Sequence, residues 1–193
     1  SKTIETDAIA CAFGEAYARA LPPASTLSYI CATEGIGLGS VQGTGVLPSE
    51  LHPEIGLLPV YPHANDPMIS RSVQGSKEGI LQDIISVSQL AANNALKLRY
   101  ERMFPDREGT MDRILSFTDG EQAEDFWNLR AFYLAQACIA CANITVPDQI
   151  VVGANVDPKG DVVKRIRKIF ADIWQERGAE NQPIFHYPAL RDG

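Results

Sequence analysis

The apolar positions of residues 121–144 recur every three to four residues and predict a buried helix around which the chain is organised. Two neighbouring rows share this spacing, so apolar side chains occupy most of the helix circumference. The rows are Phe126, Leu129, Tyr133, Ala137, Ala140 and Ile144, and beside them Trp127, Ala131, Leu134, Cys138 and Cys141. Thr118 and Asp119 can cap the first turn. The segment is too short, and too charged at its start, to span a membrane.

One-sided apolar stripes predict further helices along the chain. Residues 4–21 and 76–104 each carry such a stripe, and a last helix is expected between Asp157 and Gly178. Residues 111–117 predict a short helical turn that leads into the buried helix.

Two short apolar runs are the strand candidates. Periodicity does not decide whether residues 26–32 form a helical turn or a strand. Residues 150–153 read as a strand, but a lone strand without a partner is not stable. The predicted fold class is therefore mainly α: one globular domain over residues 1–193, a bundle of four to five helices with little or no β structure.

Residues 34–75 change character, because glycines and prolines alternate there and exclude a helix of useful length. The segment is too apolar for a free linker, so it is predicted to be a long ordered loop packed across the helices. Long loops of this kind often bind partners or ligands. The C-terminal tail, residues 179–193, is aromatic and is expected to dock on its own core or on a neighbouring molecule.

Composition adds a prediction about location. With 45% hydrophobic and 21% charged residues, the 193-residue chain reads as a soluble folded globule. Its net charge of −7 disfavours nucleic-acid binding. The first residues show no cleavable signal pattern, and three of the four cysteines lie among apolar or small residues, which predicts reduced core thiols in a cytoplasmic protein. A mature chain that has already lost its signal would look the same.

No motif supplies a clear chemistry. The glycines of residues 35–45 match neither the dinucleotide fingerprint nor the P-loop. Cys138 and Cys141 have C-x-x-C spacing, but they lie late in an apolar helix, which favours core thiols over a redox pair or a zinc site. The histidines have no metal-ligand spacing. No catalytic residue, metal site or cofactor is therefore predicted, and no membrane partner.

A cationic stripe is the sharpest charge feature of this acidic chain. Lys164, Arg167 and Lys168 share one face of the last helix. The simplest interpretation is a solvated helix face. The alternative is a docking surface for an acidic partner or for a second copy of the chain.

These patterns favour a non-enzymatic interaction or assembly protein, a structural protein that forms a homo-oligomer or docks a protein partner through its loop and tail. The expected protein–protein interaction residues are Leu57, Tyr61, Lys164, Arg167, Lys168, Phe185 and Tyr187. The alternative is a small-molecule-binding helical protein or enzyme. Its pocket would lie between the bundle and the loop at residues 35–67, lined by Tyr61, His63 and Asp66.

Overall fold

A mixed β-sheet, flanked by helices on both faces, forms the centre of the protein. The computed structural model describes residues 6–46, 53–69, 85–154, 161–176 and 181–189. Along the chain the elements are α1 (Asp7–Ala18), β1 (Thr26–Ala32), β2 (Ile36–Gln42), β3 (Gly45–Val46), a 3-10 turn (Ile55–Leu57), α2 (Val87–Ala91), α3 (Asn93–Met103), α4 (Met111–Ser116), α5 (Glu121–Thr145), β4 (Gln149–Ala154), α6 (Val162–Glu176) and β5 (Ile184–His186). The prediction of a mainly α bundle with little or no β structure is wrong.

The sheet pairs strands that are far apart in the chain. Its order is β3-β2-β1-β4-β5. β1 runs antiparallel to β2, with Thr26 opposite Gln42, and parallel to β4, with Leu27 opposite Gln149. β5 adds a second parallel pair at the edge of β4. The run at residues 150–153 is therefore a strand, as predicted, but its partners are the undecided run at residues 26–32 and the tail.

Alternate residues of the central strands face two separate cores. Leu27, Tyr29 and Cys31 pack with the small residues of α1 on one face. Ile30 and Ala32 face the larger core, to which α5 contributes most of its side chains. This period of two is the signature of a strand buried on both faces.

The glycines of β2 let α1 approach the sheet very closely. A Cβ atom on Gly39 would lie 2.2 Å from the carbonyl oxygen of Ala8, and one on Gly37 would lie 3.3 Å from the Ala8 Cβ. Residues 36–42 are thus a strand whose glycines accept a helix, and the prediction of one loop over residues 34–75 is wrong at this point. The remaining predictions for residues 47–52 and 70–75 fall outside the described residues.

The single helix predicted over residues 76–104 is broken where the structure describes it. α2 begins at a capping box formed by Ser86 and Gln89, and it ends after five residues. Ala92 is extended, with ψ of 165°, and α3 begins at the next residue. Residues 76–84 lie outside the described part of the chain.

The organising helix is confirmed as α5, which covers Glu121–Thr145 and is buried along most of its length. Its predicted cap is wrong, because Gly120 occupies the N-cap position at φ of 92° and no side chain caps the helix. The tail docks on its own core, since Phe185 of β5 packs against Phe170 of α6 with ring centroids 4.8 Å apart. Among the helices that the structure describes, none is long and apolar enough to cross a bilayer.

Candidate active site

The parallel strands of the sheet end at one edge, and this edge is where ligands bind in most α/β proteins. Ala32, the last residue of β1, lies opposite Ala154, the last residue of β4. The turn formed by residues 33–35 then leads into β2. Three features of the structure converge on this turn: the start of α1, the start of α3 and the 3-10 turn.

Asp7 places a carboxylate at this edge. It is the first residue of α1, whose N-cap residue Thr6 accepts a hydrogen bond from the Ile9 N–H at 3.3 Å. The Ala8 N–H donates to Asp7 Oδ1 at 2.8 Å, and the Cys31 thiol lies 4.0 Å from Oδ2. Asp7 is exposed and makes no ion pair with another described residue. Its carboxylate is therefore held in place but remains open to a ligand.

The thiol beside Asp7 stays neutral at physiological pH. Burial raises the pKa of Cys31, and this outweighs the hydrogen bond with Thr33, which lowers it. A neutral thiol can act as a weak hydrogen-bond donor to the carboxylate. Cys31 thus contributes to the orientation of Asp7 without adding a second negative charge.

The start of α3 holds the turn itself. The Asn93 backbone N–H donates to the Thr33 carbonyl oxygen at 2.8 Å, and the Asn93 side-chain amide lies 3.4 Å from Glu34 Oε1. A Cβ atom on Gly35 would find no heavy atom within 4 Å, so the tip of the turn faces open space. A ligand can therefore come close to the backbone at Gly35.

The 3-10 turn packs against the start of β2. A Cβ atom on Gly56 would lie 2.5 Å from Ser88 Oγ and 2.6 Å from the carbonyl oxygen of Ile36. Ser88 also accepts a hydrogen bond from the Ile36 N–H at 3.3 Å. Glu54, two residues before Gly56, is exposed to solvent.

Sequence similarity identifies the family to which the chain belongs. The sequence profile of the ROK family matches residues 2–192. The chain belongs to the ROK family.

Three relatives illustrate what the chain is similar to. It is 26% identical over 171 residues to a fructokinase from Streptococcus mutans, covering 87% of this chain and 50% of the relative. The ROK hexokinase from Thermus thermophilus matches its fold with a TM-score of 0.69 and 22% identity, covering 94% of this chain and 58% of the other. A ROK family glucokinase from Streptomyces griseus in complex with glucose and AMPPNP matches with a TM-score of 0.67 and 18% identity, covering 96% and 62%.

The chain spans about half the length of the fructokinase, and less than two thirds of the two solved structures. The prediction of a non-enzymatic, structural assembly protein is wrong, because the family match and the kinases among its relatives point to an enzyme. No local motif marks the site: Asp7 lies in the predicted helix of residues 4–21, and the glycines of residues 35–45 match no phosphate-binding motif.

The structure does not bring the side chains of Tyr61, His63 and Asp66 into one pocket. Asp66 is only 3% exposed and is bound by Arg99 inside the protein. Tyr61 is 82% exposed and faces solvent. The ring of His63 packs edge-on against Phe132 with centroids 5.0 Å apart, beside a cavity of about 300 Å³.

The predicted partner-binding residues divide into two groups. Those exposed to solvent are Leu57, Tyr61, Lys164, Arg167 and Lys168. Lys164 forms an ion pair with Asp161 at 2.9 Å. Phe185 is buried, and Tyr187 is half-buried, with its carbonyl oxygen accepting a hydrogen bond from Arg19 at 2.5 Å. Their role in binding a partner stays a prediction.

The cysteines lie in the packed interior or next to it. All four are free thiols, and burial raises the pKa of Cys138 well above its usual value. Cys141 is likewise buried, with its pKa raised by burial. Among the described residues, no cluster of three acidic, histidine or cysteine side chains is arranged to hold a metal ion. His52 lies outside the described residues.

Proposed function

We propose that this ROK protein is a sugar kinase that transfers a phosphoryl group from a nucleoside triphosphate to a hydroxyl group of a hexose. The observation that carries the proposal is the exposed carboxylate of Asp7, held at the carboxyl edge of the sheet. The named activities of the relatives agree with it, since a fructokinase, a hexokinase and a glucokinase are among them. The glucokinase complex also supports glucose-like and ATP-like ligands for this fold.

Asp7 acts as the general base in the proposed reaction. Its Oδ2 accepts the proton of the attacking hydroxyl group, and the sugar oxygen forms a bond to the γ-phosphorus. The bond between the γ-phosphorus and the bridging oxygen breaks, and the nucleoside diphosphate leaves with that oxygen. A positioned general base contributes about 10²- to 10⁴-fold to such a rate, and phosphoryl transfer otherwise depends on positioning and charge stabilisation.

The neighbours of Asp7 suit the two substrates. Gly35 has open space in front of its backbone, which gives the transferred phosphoryl group room to approach the turn. Carboxylate oxygens accept hydrogen bonds from hydroxyl groups, so the exposed Asp7 suits a polyol rather than an anion. We therefore expect the hexose hydroxyl group to lie at Asp7, with the triphosphate on the side of Gly35.

The proposal is tested by measuring the release of ADP when the purified protein is incubated with magnesium ATP and a single sugar. Fructose, glucose and mannose serve as candidate substrates, and glycerol as a hydroxyl-bearing control that is not a hexose. We expect at least one hexose to stimulate release and to appear as a sugar phosphate by mass spectrometry. A folded protein that phosphorylates none of the three hexoses would refute the proposal.

A further inference from the structure

Two fully buried arginines hold the break between α2 and α3. The break leaves the carbonyl groups of Leu90 and Ala91 without helical partners from the next turn. Arg99 Nη2 donates to the Leu90 oxygen at 2.8 Å, and Arg130 Nε donates to the Ala91 oxygen at 3.2 Å. Both guanidinium groups are 0% exposed. A buried charge is costly unless it is well hydrogen-bonded. These hydrogen bonds offset part of the cost of burying the two guanidinium groups.

Arg130 also reaches the end of β1 and the start of α3. Its Nη2 donates to the Ala32 carbonyl oxygen at 3.0 Å and lies 3.4 Å from Asn93 Oδ1. One rigid guanidinium group therefore joins three points: the last residue of β1, the end of α2 and the first residue of α3.

The contact with Arg130 fixes which way the Asn93 amide points. A guanidinium group can only donate hydrogen bonds, so it selects the amide oxygen of Asn93. The amide nitrogen is then directed at Glu34, 3.4 Å from Oε1, while the Asn93 backbone N–H binds the Thr33 carbonyl oxygen at 2.8 Å. Two consecutive residues of the turn at the proposed active site are thus held by Asn93.

We propose that Arg130 and Asn93 form a relay that holds residues 33–35 in place beside Asp7, and that both are positioning residues for phosphoryl transfer. The inference rests on the proposed function for its consequence and on the hydrogen bonds for its geometry. We expect neither side chain to contact a substrate, because Asn93 is 5% exposed and Arg130 is fully buried. A displaced turn misplaces the reacting groups, and small misplacements lower rates strongly.

Asn93→Asp is the variant that tests the relay with the least change of shape. It keeps an oxygen for Arg130, so the buried contact survives and the protein should still fold. It replaces the amide nitrogen that faces Glu34 with an oxygen, so that at about pH 8 two ionised carboxylates repel each other. Asn94→Asp is the matched control. Asn94 is exposed, and this substitution adds the same charge one residue away. Combining Asn93→Asp with Glu34→Gln restores a donor to the pair.

Hydrogen exchange measured by mass spectrometry reports on the turn without requiring activity. We expect Asn93→Asp to speed exchange in the peptide that contains residues 33–35 and to lower kcat by about tenfold or more, while the melting temperature stays close to wild type. Asn94→Asp should change neither, and the added Glu34→Gln should return exchange to the wild-type rate. Wild-type exchange in Asn93→Asp, or equal exchange with and without Glu34→Gln, would overturn the relay. A wild-type protein that phosphorylates no hexose would refute the proposed function, and the exchange rates would still decide the relay.

Discussion

The buried pair of Asp66 and Arg99 is expected to be one of the most sensitive points of the fold. Arg99 donates from Nε and Nη2 to the two oxygens of Asp66 at 3.1 and 2.8 Å. Tyr133 adds a hydroxyl donor at 2.8 Å, and the Met68 N–H donates at 2.9 Å. The network ties residues 63–69 to α3 and α5. Asp66→Asn keeps the shape of the side chain, removes its charge and replaces one acceptor oxygen by a donor NH2 group that faces other donors.

The expected cost follows from the burial of Arg99. Its side chain is 0% exposed, and among the described residues its Nη1 has no hydrogen-bond acceptor, so the carboxylate is its main compensation. Removing one partner of a buried ion pair costs about 3–5 kcal/mol. For a protein of this length that corresponds to a fall in melting temperature of about 10 °C.

The effect should depend on pH in a defined direction. Burial tends to raise the pKa of Asp66, but the hydrogen bonds and charge of Arg99 outweigh it and lower the pKa below its usual value. The stabilisation is therefore present above the unfolded-state pKa of about 3.9 and is lost as the pH falls through the lower folded-state value.

Urea unfolding of wild type and Asp66→Asn, followed by circular dichroism at neutral and at acidic pH, measures both predictions. A difference in unfolding free energy below about 1 kcal/mol at neutral pH would refute the argument from burial, because it is the size expected of an exposed pair. A large difference that does not shrink in acid would refute the assignment to the charge of Asp66.

Two further predictions concern packing and association. Gly39→Ala should destabilise the protein by about 1–3 kcal/mol or more in urea unfolding, because its Cβ would strike the backbone of α1 at 2.2 Å, whereas Gly35→Ala should unfold like wild type; equal stability of the two variants would contradict the close approach of α1. If the exposed Leu57 and Tyr61 mediate self-association, replacing both by serine should lower the mass in sedimentation velocity, and an unchanged mass would show that these residues are not the interface.

The helices could be predicted because their signals are local. α5 carries its apolar rows within one stretch, and α6 carries a one-sided stripe, so periodicity alone identifies both. The break at Ala92 could not be predicted in this way. It depends on Arg99 and Arg130, which lie 7 and 38 residues further along the chain and satisfy the carbonyl groups that the break exposes.

The sheet was missed because its decisive pairings are non-local. β1 and β4 are separated by more than a hundred residues, and β5 joins from the tail. One local signal was available, since glycines at positions 35, 37 and 39 alternate with apolar residues at the period of a strand. The glycines are needed because α1 packs directly against Gly37 and Gly39, a contact that the sequence alone does not show.

The site could not be assembled from the sequence for the same reason. Asp7, Cys31 and Asn93 come from three distant segments, and none of them belongs to a recognisable spacing motif. The spacing of His63 and Asp66, three residues apart in the loop, indicated a small-molecule pocket. In the structure Asp66 forms a buried ion pair with Arg99 instead.

The role of Asp7 as general base is tested most directly by comparing turnover and binding in Asp7→Asn. The amide oxygen can still accept the Ala8 N–H, so α1 should remain capped and folded, but the side chain can no longer take a proton. With the hexose that the wild-type protein phosphorylates fastest, kcat should fall by about 100-fold or more. The hexose dissociation constant, measured by calorimetry, should stay close to wild type. Asp112→Asn, an exposed acid on α4, is the control and should keep full turnover. Turnover in Asp7→Asn close to that of the wild type would contradict the assignment of this carboxylate as the general base.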